Sequence, residues 1–557
     1  MDVKVENLDH LGIVAGIIDE IGIVELIDEQ VGQHSQQKVS TGQAVKAMIL
    51  NGLGFVSAPL YLYADFFQGK ATEHLLGAGI TAEMLNDDLL GRTLDRIYDG
   101  GMEQIFSLTA MAAYEKFGLQ SQSYHLDSTS ISVQGAYESE EEEKEKVVNE
   151  EKPEEKDNDR TEGQEESSPQ PIKITYGYSR DRRPDLKQFM VDMICSGDGG
   201  VPLALNLGNG NQSDQEVFAQ RIVAFREQWD FEGLFVADSA LYSEESLRKL
   251  GSLQWLTRVP LTLKQAQELV EELSQEAFQS CEREGYRWAS VDSEYAQIPQ
   301  RWLVFESEKS RSQALKTLEK KLKKTEAQAL RQAKQLAKVE FECHDDALKQ
   351  GQQLGKNWQY YQVQSVEVEV KSHHGKRGRP KTTEQPQRVT YHVKVEVVLN
   401  EEAVAKAQRK AGRFILATNV LDEQELGVEE LLSRYKQQQY SERGWRFLKD
   451  PLFFTSSVFL KTPQRIMVLA MVMALALMVY TLAQRQLRQA LLLTEHTVPD
   501  QRKRPTQTPT IRWIFQCFQS IHVLWLEGRK LISNLSDFHL NVLRLLGPPC
   551  QKYYCLL

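Results

Sequence analysis

The sequence predicts an α/β protein: a mixed sheet flanked by helices and interrupted by an α+β insertion, with a helical N-terminal domain and a helical C-terminal region. Three observations predict this. Apolar residues recur at helical spacing through "LGIVAGIIDEIGIVELIDEQV", the period of an amphipathic helix. From Ser121 the pattern switches, and "SYHLDSTSISVQG" alternates apolar and polar residues with several β-branched ones, as a strand does. Further on, the apolar run Leu234–Ala237 in "GLFVADSALYSEESLRKL" stops on Asp238 where a helix begins. A buried run ending on a polar residue at a strand-to-helix junction marks a central strand with a site at its C-terminal edge.

In chain order, residues 1–119 form the helical domain, with Ser40/Thr41 as a cap for "STGQAVKAMILNGLGF". A helix-turn-helix is open there, but Met1–Leu60 holds 8 acids and 3 bases, which disfavours one. Dimerisation or packing against the core fits at least as well. The first part of the core is expected over 120–137 and 170–260. Between these, Glu138–Pro169 carries 15 acids and 5 bases with almost no apolar residue, so it cannot bury a core and reads as a disordered insertion. A DNA-mimicking acidic arm is the functional alternative. "KITYGYSRDRRPDLKQFMVDMICSGDGGVPLALNLGNGN" holds two strands joined by a Gly-rich turn, a hairpin at a sheet edge.

Residues 261–410 read as an insertion domain. A Lys-rich helix, "KTLEKKLKKTEAQALRQAKQLAKVE", precedes the strands "YYQVQSVEVEV" and "VTYHVKVEVVL", which flank "KSHHGKRGRPK". The core resumes over 411–485 with "RFILATNVL" and one or two helices across "DEQELGVEELLSRYKQQQYSERGWRFLKD". Residues 486–557 close the chain with 9 bases against 4 acids from Gln486 on.

The net charge of −12 argues against a polyanionic partner only until it is located, because the acidic run holds ten of those charges. Elsewhere the chain is nearly neutral and unevenly charged, which fits one half facing a polyanion. Six scattered cysteines make no CxxC pair or Cys/His ligand spacing, so a reduced cytoplasmic setting without structural zinc is expected. "MDVKVENLDHLG" lacks a basic n-region followed by an apolar run, so no signal peptide is expected. "IMVLAMVMALALMVYTLA", Ile466–Ala483, reaches the lower edge of membrane-spanning length. Its Ala/Met content and its polar continuation favour a buried core helix, and no membrane partner is expected.

Three acids stand out by setting: Asp127 on a strand, Asp238 at the end of a buried strand, and Glu442 on a helix after the insertion. Hard divalent cations take oxygen ligands, and a pair of ions roughly 3.5–4 Å apart serves phosphodiester displacement. Singly, Asp238 reads as a helix cap and Glu442 as a surface acid; the combination raises the functional reading. At about 100° per residue, Tyr435, Gln438, Glu442 and Lys449 fall roughly within a 60° arc of one helix. Tyr and Lys suit phosphate contact, and Arg434, Lys436, Arg443 and Arg446 surround the single acid between Tyr435 and Lys449.

Tyr435-x2-Gln438-x3-Glu442-x6-Lys449 resembles the Y-x2-R-x3-E-x6-K signature of bacterial insertion-sequence DDE transposases. "YHLDSTS" and "FVADSALYS" resemble the segments that carry that family's two aspartates, and "SRDRRPDLKQ" and the strand-rich insertion are also similar. The resemblance extends across most of Ser121–Leu482. It implies an RNase H-like core, cleavage at element ends with two Mg²⁺ ions (Mn²⁺ as a substitute), and strand transfer of the freed 3′-OH into target DNA. It assigns catalysis and metal binding to Asp127, Asp238 and Glu442, and end-DNA contacts to Tyr435 and Lys449. It further implies double-stranded terminal inverted repeats and target DNA as partners, and a location at the bacterial nucleoid. Two end complexes imply a homodimer, for which the apolar N-terminal helices are the candidate interface. The signature's arginine is Gln438 here, an amide that supplies no charge, and Arg434 or Arg443 are the candidates to compensate.

"GKRGRPK" resembles a minor-groove AT-hook, with Arg377 and Arg379 as the contacts; a solvated hairpin tip is the plain alternative. The Lys-rich helix reads as a solvated face. Trp255, Trp288, Trp302 and Trp358 are core packing by default, although an aromatic near the site can hold an extruded base. His125 shares the strand face of Asp127, a supporting position. The leading expectation is a cut-and-paste transposase. An RNase H-like nuclease that cuts without joining, and a non-catalytic DNA-binding derivative, stand as alternatives.

Overall fold

A five-residue strand, β1 (Val3–Asn7), precedes the N-terminal helices α1 (Leu11–Ile21), α2 (Ile23–Val31), α3 (Thr41–Gly52), α4 (Asp87–Asp99) and α5 (Met102–Lys116). The computed structural model describes residues 3–32, 37–55, 63–135, 137, 170–229, 231–373, 387–449, 460, 462–526 and 529–556. The acidic run and the AT-hook-like segment with Arg377 and Arg379 lie outside the described residues. The chain divides into two units, Met1–Thr257 with Glu430–Leu557, and Arg258–Glu429.

Local sequence accounts for the helix ends. Gly22 adopts φ 82°, the left-handed cap that ends α1 and starts α2. Ser40 caps α3 through a reciprocal box: its Oγ accepts from Gln43 N at 3.1 Å, while Gln43 Oε1 accepts from Ser40 N at 2.9 Å.

The core of the first unit is a sheet built from β2 (Ser123–Val133), β3 (Lys187–Ser196), β4 (Pro202–Gly208), β5 (Leu234–Ala237) and β6 (Trp255–Arg258). Its order is β4-β3-β2-β5-β6. The first three strands are antiparallel neighbours, and β5 and β6 run parallel to β2, the arrangement of an RNase H-like core. The fully apolar β5 is buried along its length, as a strand covered on both faces must be.

Helix α6 (Asp214–Gln228) follows β4. From the last residues of the second unit onward the chain forms α7 (Val428–Gln437), α8 (Gln439–Leu448) and α9 (Pro463–Leu493). By length and composition α9 could cross a membrane, yet 94% of its most apolar stretch is buried inside the protein. It packs against α1, α3, α4 and β4, which is how a helix apolar on every side is accommodated in a core.

The two ends of the chain meet. β1 pairs antiparallel with β7 (His522–Leu526), from Val3↔Leu526 to Asn7↔His522, and β7 pairs with β8 (Arg529–Ser533). Helices α10 (Asp537–Leu546) and α11 (Pro548–Tyr553) follow, and α11 packs on α1. A Cβ at Gly16 would lie 2.6 Å from Cys550 Cα, so this contact requires glycine. Both regions are mainly helical, as the sequence reads, and each also contributes strands to this small sheet; β1 is short, and its partner stands at the opposite end of the sequence. The apolar face of α1 that suggested a dimer interface is covered by the chain's own α9 and α11.

In the second unit, Ile298–Ser307 pairs antiparallel with both Tyr286–Tyr295 and Arg413–Thr418. Glu306, 3% exposed, binds Arg287, Arg311 and Arg413. The long helix Glu308–Leu336 and a hairpin of Tyr361–His373 with Arg388–Leu399 complete it. Trp302 is buried here and Trp255 is buried in the first unit, while Trp358 donates Nε1 to Gln332 at 2.7 Å.

Candidate active site

The parallel register of β2 and β5 pairs Leu126 with Ala237. Asp127, the next residue of β2, and Asp238, the first residue past the end of β5, therefore follow this pair at matching register. Asp127 Oδ1 accepts from Ser128 N at 2.9 Å. Asp238 Oδ1 accepts from Ala240 N at 2.9 Å and caps a single 3-10 turn, Ser239–Leu241. The helix that follows, Glu244–Leu250, is capped by Ser243 instead, so the capping role of Asp238 covers only that turn. Thr257 Oγ1 donates to the Asp238 carbonyl at 2.6 Å and fixes the strand end.

Further groups that the sequence reading missed stand beside this pair. Asp214, in the first turn of α6, accepts from Ser128 Oγ at 2.9 Å and pairs with Arg180. Arg180 also donates to the Ser128 carbonyl. Burial raises the Asp238 carboxyl above the usual range, with Asp214 adding to the shift and Ala240 N–H and Arg180 opposing it. Asp192, 1% exposed on β3, is raised chiefly by burial, and Arg221 opposes the shift at 3.4 Å. Asp192 was legible as a lone acid within "FMVDMIC". Asp214 gave no signal, because an acid in a first helical turn is ordinary.

Glu442 lies on α8, which packs against β2. One turn on, Trp445 is 6% exposed and donates Nε1 to Asp127 Oδ2 at 3.0 Å. Of the one or two helices read across the signature, the structure has two, broken at Gln438. Gln438 N bonds the Tyr435 carbonyl three residues back, at 3.2 Å, the tighter turn that interrupts α-geometry. Tyr435 and Gln438 therefore do not share a helix with Glu442, and the arc drawn over one helix does not hold.

The surrounding cations are differently placed. Arg434 is held by Gln122, at 3.0 Å to Oε1, and by Glu430 at 2.5 Å. Arg443 and Arg446 are exposed. Lys449 Nζ pairs with Asp181 Oδ1 at 2.7 Å. Gln438 is buried, at 8% exposure. His125 Nε2 lies 3.1 Å from Ser123 Oγ, which also contacts Gln437 of α7 at 3.4 Å. Burial lowers its pKa to about 4, so its role is that of a neutral support.

The fold is that of an RNase H-like protein, with Asp127 within β2 and Asp238 just past the end of the parallel β5, at matching register. Residues 124–479, more than half of the chain, match the family described as "Transposase DDE domain". The chain belongs to that family and is a DDE transposase. The matched span takes in Asp127, Asp238 and Glu442. Residues 3–111 match a domain of unknown function, DUF4277. A solved piggyBac transposase synaptic complex with hairpin DNA is similar at 8% identity and a TM-score of 0.38, over 93% of this chain and 83% of that one. No curated protein matches the sequence. Enzymes of the DDE family generally use divalent metal ions. The all-oxygen donors of Asp127 and Asp238 fit such an ion, and a cation beside the partly desolvated Asp238 would favour its charged form. Among the described residues no group of three or more potential ligands is assembled, and the Glu442 side chain is outside them.

Proposed function

We propose that this transposase cuts double-stranded DNA at the terminal inverted repeats of a bacterial insertion sequence and joins the freed 3′-OH to target DNA by cut-and-paste, acting as a homodimer at the nucleoid. Asp127, Asp238 and Glu442 are the catalytic carboxylates in this reading. Their oxygens would hold two Mg²⁺ ions, which when bound would supply Lewis-acid polarisation of the phosphodiester and of the attacking oxygen. Tyr435, Gln438, Lys449, Arg443 and Arg446 bear on the DNA, with Arg377 and Arg379 as further contacts.

One observation carries the reading: Trp445 ties α8 to Asp127 at 3.0 Å, while β2 and β5 bring Asp127 and Asp238 to matching register. The chain's own groups set the geometry. Ser128 N and Trp445 Nε1 each orient one oxygen of Asp127, and Ala240 N orients Asp238.

The test is cleavage and strand transfer on labelled element ends with Mg²⁺. Asp127→Asn, Asp238→Asn and Glu442→Gln should each lower cleavage at least a thousandfold while duplex binding persists. Cleavage that survives Glu442→Gln overturns the triad, and cutting without joined product overturns the transfer step.

A further inference from the structure

The C-terminal region presents a basic turn of unusual construction. Val498–Pro499 and Pro505–Thr506 form a minimal hairpin, with Pro499 directly opposite Pro505. Proline offers no backbone donor, so neither strand can take up a further neighbour at that point. Asp500 closes the turn: its Oδ1 accepts from Arg502 N at 2.7 Å and Arg504 N at 2.8 Å. Asp500 N donates to the Arg504 carbonyl at 2.8 Å, and Lys503 N to the Asp500 carbonyl at 2.9 Å. Lys503 sits at φ 61°, in the left-handed region, a conformation that costs a long side chain energy unless its surroundings impose it. From outside the turn, Trp513 Nε1 donates to the Pro499 carbonyl at 2.9 Å.

This scaffolding holds three consecutive cations, Arg502, Lys503 and Arg504, all exposed. Among the described residues none of the three side chains forms a salt bridge or a hydrogen bond. The acids nearby are Glu495, which precedes the hairpin, and Asp500, whose Oδ1 is committed to backbone N–H groups. The turn therefore places three cations on a fixed, exposed tip, where the Asp500 carboxylate offsets part of the charge of Arg502 and Arg504.

We infer that the Arg502–Lys503–Arg504 turn is a phosphate clamp that grips the backbone of duplex DNA independently of its sequence. Successive side chains on a tight turn diverge, which suits separate phosphates rather than one base edge, and Lys acts there as a point charge. This inference rests on the reading that the chain binds double-stranded DNA, and it adds a contact far in sequence from the signature helices.

Each phosphate contact contributes about −0.9 to the slope of log affinity against log salt. The full chain is titrated onto an element-end duplex and onto an unrelated duplex of equal length, from low to moderate salt. Arg502→Gln/Lys503→Gln/Arg504→Gln should flatten the slope by about 2–3 on both duplexes alike, with the thermal midpoint unchanged. A slope shared with the wild type overturns the clamp. A loss confined to the element end overturns sequence independence, and a change of oligomeric state at constant slope assigns the tip to a protein contact instead. Failure of the wild-type chain to bind either duplex overturns the parent reading as well, and is distinguished from the other outcomes by that alone.

Discussion

Trp445 donates its indole N–H to Asp127 at 3.0 Å, fastening the helix that carries Glu442 to the strand that carries Asp127. Trp445→Phe removes the donor and keeps an aromatic ring in the buried site. Groups that orient a metal-binding carboxylate typically set affinity by 10–100-fold when removed. The Mg²⁺ concentration for half-maximal cleavage should therefore rise about tenfold, while duplex binding in EDTA stays the same. An unchanged Mg²⁺ dependence would remove Trp445 from the site.

Lys449 meets Asp181 at 2.7 Å in the free chain, with 22% and 37% of the two side chains exposed. If Lys449 grips an end phosphate, that phosphate must replace Asp181. Exposed pairs are worth about 0.2–1 kcal/mol, so Asp181→Asn should tighten end binding by up to about fivefold. Lys449→Gln should weaken it and cancel the gain of Asp181→Asn. A gain that persists in the double variant would show that Asp181 acts elsewhere.

The sequence made the chemistry legible where it was written locally. Alternation from Ser123 to Val133 and the apolar run before Asp238 located both strands, while the choice of Glu442 rests on the signature spacing alone. The break at Gln438 was not legible, because "YKQQQYSERGW" has no glycine or proline there and Gln is a sound helix former. The chain-end sheet was hidden for a different reason. Val3 and Leu526 pair from nearly opposite ends of the sequence, so no local pattern records the pairing. Asp214 and Arg180 were invisible as a pair because each looks ordinary where it stands.

His10 is fully buried, with Nε2 2.7 Å from the Leu53 carbonyl and its ring stacked on Phe515 at 4.6 Å. Gln519 Nε2 points at Nδ1 from 3.3 Å, so the neutral tautomer satisfies both nitrogens and a second proton would face a donor. Burial, chiefly, lowers its pKa from 6.5 to about 4. The unfolded chain then binds more protons between these values, and stability falls as pH drops through that window and is constant above it. At pH 5 this one residue should cost about 2 kcal/mol relative to pH 7.5. Urea unfolding of His10→Gln should show a pH 7.5-to-5 difference smaller by that amount. An equal difference in both proteins would mean that His10 does not titrate.

Lys46 is buried between α1 and α11, where it meets Asp19 Oδ1 at 2.5 Å and Tyr553 Oη at 2.8 Å. Tyr553 Oη donates in turn to Asp19 Oδ2 at 2.6 Å. Burial lowers the Lys46 pKa, and Asp19 opposes the shift, so the ammonium depends on that carboxylate. Removing one member of such a pair leaves an uncompensated charge and costs about 3–5 kcal/mol, whereas an apolar residue of similar volume is often neutral. Asp19 is 27% exposed, so water softens the loss, and Asp19→Ala should cost about 3 kcal/mol, at the lower end of that range. Lys46→Met should cost less than about 1 kcal/mol, because Asp19 keeps Tyr553 and the Lys552 ammonium at 3.7 Å. Since the pair joins the two ends of the chain, Asp19→Ala should also make the C-terminal residues cleavable by protease under native conditions. Equal destabilisation by both variants would show that packing volume, not charge, holds α11 on α1.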